Sequence, residues 1–163
     1  MKLKLLLIVL LLSACAVTGP KYKKMAEPND GRSMIYIYRP DVFSNSLISP
    51  GLTLDGKELM LIENGGYSYF YTKPGKHTLN LKLSGDYNKA DDLIITTRPN
   101  RKHFVKLITY NKSTGYFAGN IGFKRTFNLI HVKEAAAETE IAECGYINPV
   151  KSEKFEKSYL VDN

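Results

Sequence analysis

LTLDGKELMLIENGGYSYFYTKPGKHTLNLKLS, residues 52–84, alternates apolar and polar side chains between three turn signals. Leu52-Thr53-Leu54 runs into Asp55-Gly56, a dipeptide suited to a two-residue hairpin because both of its residues tolerate positive φ. The chain returns through Glu58–Ile62, turns at Asn64-Gly65-Gly66, runs out again as Tyr67–Thr72 and turns once more at Pro74-Gly75. In the last segment Leu79, Leu81 and Leu83 share one face while Thr78, Asn80 and Lys82 take the other, the pattern of a half-buried strand.

The same period extends outward in both directions. MIYIYRP (34–40) predicts a strand closed by Pro40, with Ile35 and Ile37 on one face and Tyr36 and Tyr38 on the other. A strand apolar on both sides suits a central position covered on both faces. DLIITTRP (92–99), HFVKLITYN (103–111) and RTFNLIHV (125–132) complete the set, and GYFAGNIGFKR, with Gly115, Gly119 and Gly122, is expected as a loop. Short strands with frequent turns and no long helix between them predict an antiparallel sandwich. Near the end the period changes. VKEAAAETEIAECG (132–145) is rich in helix formers, places Ala137, Ile141 and Cys144 on one face, and ends at Gly145 as an expected C-cap. Beyond Pro149 the chain is charged, with Phe155 and Tyr159 as apolar anchor points.

The amino terminus follows a different logic. In MKLKLLLIVLLLSAC, Lys2 and Lys4 precede an apolar run from Leu5 to Leu12, and Ser13 and Ala14 supply a small-residue exit. These are the three parts of an export leader. The run is well short of the roughly 20 residues that a bilayer-spanning helix requires. Leu12-Ser13-Ala14-Cys15 resembles the bacterial lipobox, which implies lipid attachment at the sulfur of Cys15 and cleavage before it. One acyl chain holds a protein only marginally at a membrane, whereas two or more hold it stably. Ala16, where an aspartate would favour retention, points to the outer membrane under the sorting that this resemblance implies.

Loss of residues 1–14 leaves 21 basic against 16 acidic side chains, a formal charge of +5. That is mildly basic and spread along the chain, unlike a nucleic-acid-binding arm, so no nucleic-acid partner is expected. Residues 16–32 (AVTGPKYKKMAEPNDGR) are poor in bulky apolar side chains and are expected as a flexible tether, whose Lys21, Lys23 and Lys24 could meet anionic headgroups. With Cys15 lipidated, Cys144 has no intrachain partner and the core must hold without a disulfide.

YIYRP, LTLDGKELMLIENGGYSYFYTKPGKHTLNL and the closing FNLIHV with IAEC, taken together, resemble the bacterial lipoprotein family known as domain of unknown function 2846. The specific part is the succession Arg39-Pro40, Asp55-Gly56-Lys57, Asn64-Gly65-Gly66-Tyr67 and Pro74-Gly75-Lys76-His77. Similar turns occur in the sandwich modules called PEGA domains. The resemblance implies a periplasm-facing β-domain and supplies no catalytic residue.

Chemistry is sparse. His77, His103 and His131 sit on separate strands without the paired spacing of a zinc site, so neither a metal nor another cofactor is expected. Nothing around Cys144 looks like a nucleophile turn, and Glu134, Glu138, Glu140 and Glu143 read first as the solvated face of a helix. The tyrosines are the better lead, since there are eleven and no tryptophan. Tyr67, Tyr69 and Tyr71 project from one face of a strand and Tyr36 and Tyr38 from one face of another, so they either pack a core or form an aromatic platform for a sugar ring or a protein.

These readings combine into a mainly β protein with an antiparallel sandwich of immunoglobulin-like or prealbumin-like kind and a short C-terminal α-helix. The expected organisation is a leader over 1–14, a lipidated tether over 15–32, the sandwich over 33–132, and helix and tail over 133–163. The expected role is a non-catalytic envelope module, lipid-anchored at Cys15 on the periplasmic side of the outer membrane, or alternatively at the inner membrane or cell surface. Its partner would be an envelope protein or peptidoglycan. The alternatives are glycan binding through Tyr36, Tyr38, Tyr67, Tyr69 and Tyr71, or an enzyme using Cys144 or a histidine. The loops at 40–51 and 115–122 are further candidates for binding.

Overall fold

Every residue of β1 (Ser33–Arg39) is buried, and the rest of the molecule is arranged around that strand. The structure, a computed structural model, describes residues 17–43, 45–84, 87–117 and 120–149. The leader, Cys15 and the tail with Phe155 and Tyr159 lie outside these residues. Following β1 are β2 (Gly51–Leu54), β3 (Lys57–Leu61), β4 (Gly66–Thr72), β5 (Gly75–Lys82), β6 (Asn88–Lys89), β7 (Leu93–Thr97), β8 (Lys102–Phe117), β9 (Asn120–Val132), α1 (Glu134–Ile141) and β10 (Gly145–Tyr146). They form a six-stranded sheet in the order β10-β4-β1-β8-β9-β6 and a four-stranded sheet in the order β3-β2-β5-β7.

The sandwich is mainly β with one short helix near its end, as the alternation predicts. The inner faces meet in a core that includes Ile35, Ile37, Phe70, Val105 and Phe127 from one sheet and Leu52, Leu54, Leu79, Leu81 and Ile95 from the other. Each such side chain removed from water contributes about 1.5–3 kcal/mol, so this layer is the main source of stability. The pairing is less uniform than expected. The four-stranded sheet is antiparallel throughout, but β1 runs parallel to β8, β10 to β4 and β6 to β9. Between β1 and β8 the chain builds the second sheet, and that long excursion lets two parallel strands become neighbours.

Turn chemistry carries non-local bonds. Asp55 and Gly56 have φ of 49° and 81°, as the β2–β3 hairpin requires. The Asp55 carboxylate then accepts a hydrogen bond from the Thr78 amide at 2.9 Å and lies 2.8 Å from Nδ1 of His77. His77 Nε2 lies 2.8 Å from the carbonyl of Lys73, so the buried imidazole joins the Asp55-Gly56 turn to the Pro74-Gly75 turn. In β3, Leu59 and Met60 are both buried. A register shift opposite Leu52 and Thr53 explains the break in alternation, since a bulge turns two successive side chains inward.

Three expectations need correction. The segment foreseen as a glycine loop supplies the ends of β8 and β9, which pair from Phe104↔Val132 out to Phe117↔Asn120 as one long hairpin. Gly145 does not cap the helix, which ends at Ile141 with Ala142 as its C-cap. Instead Gly145 donates to the Gly65 carbonyl at 2.9 Å and lets the N-terminal segment approach: a Cβ there would lie 2.6 Å from the Val17 carbonyl oxygen. Finally, residues 17–25, foreseen as part of a flexible tether, are docked. Lys21 bridges to Gly145, the Tyr22 amide donates to the Cys144 carbonyl at 3.3 Å, and the Tyr146 amide donates to the Pro20 carbonyl at 2.9 Å.

Gly145→Ala is therefore expected to push the Val17 backbone off β10 and lower stability by about 1–3 kcal/mol, the usual cost of overpacking a close contact. Urea unfolding of the wild type and the variant measures it; equal midpoints would mean that the segment gives way without loss.

Candidate functional site

The tyrosine face is largely occupied. Alternation places Met34, Tyr36 and Tyr38 on the outer face of β1, opposite Ile35 and Ile37, and aligns Tyr36 with Tyr69 and Tyr38 with Tyr67 on β4. Tyr36, Tyr38 and Tyr67 are all buried, in a second core that includes Phe104, Ala137, Ile141 and Cys144. Tyr36 stacks on Phe104 with ring centroids 4.8 Å apart, and the Tyr22 ring meets Tyr36 and Tyr67 edge-on at 5.7 and 5.6 Å. These three of the five candidate tyrosines thus cannot serve as a platform, because the helix and the docked N-terminal segment already cover them. Tyr69 and Tyr71 are half-buried, and the Arg32 guanidinium lies 4.1 Å over the Tyr71 ring.

The cover is fixed by charge. Lys102 and Lys106 share the outer face of β8 with Phe104. Lys102 Nζ, whose side chain is almost fully buried, pairs with Glu134 at 2.8 Å, and Lys106 pairs with Glu140 at 2.9 Å. Glu140 also accepts the Tyr38 hydroxyl at 2.7 Å. The Tyr38 bond first, and then Lys106, holds the Glu140 carboxyl below its ordinary range, while burial pushes the Tyr38 hydroxyl up. Lys24 pairs with Glu138 at 2.8 Å, which fastens the N-terminal segment to the helix. Of the glutamates foreseen as a solvated face, Glu134 and Glu140 thus reach down to the sheet and Glu138 to the N-terminal segment, while Glu143 stays exposed. The readable sign was a lysine pair flanking Phe104 on one strand face, next to a glutamate-rich helix.

The groups foreseen for catalysis are engaged in structure. Cys144 is buried, its Sγ lies 3.7 Å from the Arg39 carbonyl oxygen, and burial pushes the thiol up to about 11. His103 Nε2 accepts the Arg98 amide at 3.2 Å, which requires the neutral ring. Burial, aided by His131 and Arg98, lowers His103 to about 4, and its ring centroid lies 5.7 Å from that of His131. Among the described residues no group of three or more His, Cys, Asp or Glu is placed to hold a metal ion.

Of the two loops foreseen for binding, the one between β1 and β2 is held by buried side chains. Arg39, 1% exposed, donates from Nη1 to the Ile48 carbonyl at 2.6 Å and from Nη2 to the Asn45 carbonyl at 2.7 Å. Burial depresses the guanidinium, and Asp41 acts weakly against that. Asn64 Nδ2 donates to Asp41, and Asn64 Oδ1 accepts the Val42 amide at 3.2 Å. Arg39 and Asn64, legible only as turn and strand-end residues, are thus clamps on one loop. Between it and β8 lies a cleft of about 340 Å³ lined by Arg39, Val42, Asn45, Lys106 and Tyr110, among others. The outward side of the loop carries Phe43, which is 99% exposed, and Leu47, which is 86% exposed.

Two measurements check the buried groups. In a Cys15→Ser chain, where Cys144 is the only thiol, disulfide reagents at pH 8 are expected to react on the order of 100-fold more slowly than with the unfolded chain, since thiolate is the reacting form. Comparable rates would show Cys144 to be accessible. For His103, the unfolded chain takes up a proton near pH 6.5 and the folded chain only near 4. Its stabilising contribution is complete above the first value and is lost as the pH falls from one to the other, by up to about 3 kcal/mol. Unfolding free energies at pH 7.5 and pH 5 are expected to differ less in His103→Gln than in wild type, and an unchanged difference would refute the assignment.

Comparison with known proteins adds a family and no activity. No significant match is found among curated proteins, and none among solved structures. The family model described as protein of unknown function, DUF2846, matches residues 29–120, from just before β1 to the start of β9. That span covers more than half of the chain and includes Arg39, the Asp55-Gly56 turn, Asn64 and His77, so the chain belongs to the DUF2846 family.

Proposed function

We propose that the protein is a membrane lipoprotein, lipid-anchored through Cys15, whose β-sandwich is a non-catalytic binding or structural module of the bacterial envelope, on the periplasmic side of the outer membrane. The observation that carries this reading is the order of residues 2–15: two lysines, an unbroken apolar run, then Leu12-Ser13-Ala14-Cys15. Among the described residues no helix is long and apolar enough to cross a membrane, so in this reading attachment falls to the lipid. The non-catalytic part draws support from where the reactive groups sit. Cys144 is sealed with its thiol pushed up, His77 bridges two turns, and His103 accepts a backbone amide. The glycan alternative now rests on Tyr69 and Tyr71, since their three companions are core.

Radiolabelled palmitate is expected to enter the wild-type protein and not Cys15→Ser, and density fractionation is expected to place the labelled protein with the outer membrane. Equal labelling of the two chains would refute the anchor, and labelled protein in the inner-membrane fraction would refute the sorting.

A further inference from the structure

Resting on the lipid-anchor reading above, we propose that the β1–β2 loop is a second membrane contact, which inserts Phe43 and Leu47 among the acyl chains of the phospholipid leaflet that holds the Cys15 lipid. The first observation is distance. Val17 is docked on the body, with its carbonyl next to Gly145, and two residue steps from Cys15 reach at most about 7 Å. The domain therefore lies against the headgroups and does not hang from a long tether.

The second observation is which end of the sheet that brings to the membrane. Gly145 is aligned with Gly66 on β4, and Gly66 with Arg39 at the end of β1. The Gly145 amide reaches the Gly65 carbonyl at 2.9 Å, and a Cβ on Gly65 would lie 3.3 Å from the Asp41 side chain. Val17, two residues from Cys15 in sequence, and the β1–β2 loop thus stand at the same end of the six-stranded sheet.

The third observation is what the loop presents there. Phe43 is 99% exposed, Leu47 86% and Val42 41%. Large apolar side chains grouped at one loop mark an interaction site more often than isolated ones do. Their exposure is not slack. Arg39 binds the Asn45 and Ile48 carbonyls from inside, and Asn64 holds Asp41 and the Val42 amide, so the backbone polar groups at the loop base turn inward and the apolar side chains are left facing out. Lys21, on the docked segment beside Gly145, is exposed but engaged by Glu143, whose carboxylate lies 3.9 Å from its Nζ, so the placement rests on the apolar side chains and not on charge.

Because the chain has no tryptophan, Phe43→Trp makes a unique reporter on an exposed site. The full lipoprotein carrying it would be palmitate-labelled in cells, purified, and reconstituted in vesicles of phosphatidylethanolamine and phosphatidylglycerol, with or without brominated acyl chains. The expected result is a blue-shifted emission on reconstitution and its loss with the brominated lipid. The control Ile94→Trp, on β7 opposite Thr78 and away from the Gly51 end of the four-stranded sheet, is expected to show neither. A labelled Phe43→Trp protein whose indole emission stays red and unquenched overturns this inference alone. A blue shift without bromine quenching means that another protein or a second copy covers the loop, and overturns it too. Failure of the label overturns both this inference and the lipid-anchor reading.

Discussion

A strand that is apolar on both faces cannot sit at the surface of a sheet, and β1 imposes that constraint on everything around it. Ile35 and Ile37 demand one cover and Met34, Tyr36 and Tyr38 another. The first is met by a complete second sheet. The second is met by three partial pieces: an eight-residue helix that buries only Ala137 and Ile141, the turn with Cys144, and Tyr22 with Met25 from the N-terminal segment. Small side chains on the helix suit a floor of tyrosines, because a bulky helix face would hold it too far off to seal their edges. Of the ion pairs that fix this cover, the part-exposed ones are each worth about 0–1 kcal/mol, less than one buried aromatic side chain, while the Glu134 carboxylate mainly offsets the desolvation of the buried Lys102 ammonium. Burial therefore makes the helix adhere, and Glu134–Lys102 and Glu140–Lys106 set where it does so.

What was legible in the sequence follows from this division. Strand positions were read well because period two and the turn dipeptides are local properties. The Asp55-Gly56 turn has the positive φ pair that its residues suggested. Parallel neighbours were not legible, since a parallel pairing leaves no mark at the turns. The docked residues 17–25 were missed for a related reason. Their attachment is largely backbone hydrogen bonding to Gly145 and its neighbours, to which side-chain composition is blind, with Tyr22, Met25 and Lys24 among its side-chain signs. The extended β8–β9 hairpin was hidden by its glycines, which weaken a strand without forbidding one.

The tyrosine stripes show a deeper limit. A ligand platform and a core floor call for the same residue type at the same spacing, so alternation alone cannot separate them. The deciding fact lay elsewhere in the chain, in the apolar stripe Ala137, Ile141 and Cys144, which needs a floor to bury it. The turn motifs were likewise read as local when part of their use is distant. Asp55 and His77 are 22 residues apart and hold two turns together at 2.8 Å. Arg39 and Asn64 converge on one loop from two strands.

Arg39 is the costliest of them. A guanidinium removed from water loses several kcal/mol of hydration, and here two carbonyls replace that water, with no carboxylate among the described residues paired to it. A loop needed only to join β1 to β2 could dispense with this, since water would solvate its carbonyls and an exposed residue could stand at position 39. Turning the carbonyls of Asn45 and Ile48 inward gains something only if the outside of the loop is better left without them. In water that arrangement is a loss twice over, once for the buried charge and once for Phe43 and Leu47. Against a hydrocarbon surface the second sign reverses, because the apolar side chains gain by leaving water and the two carbonyls bonded from within add no further desolvation, while the cost of the buried charge is unchanged. The clamp thus suits the inserted loop proposed above, since Asn45 and Ile48 would present no unpaired carbonyl to hydrocarbon.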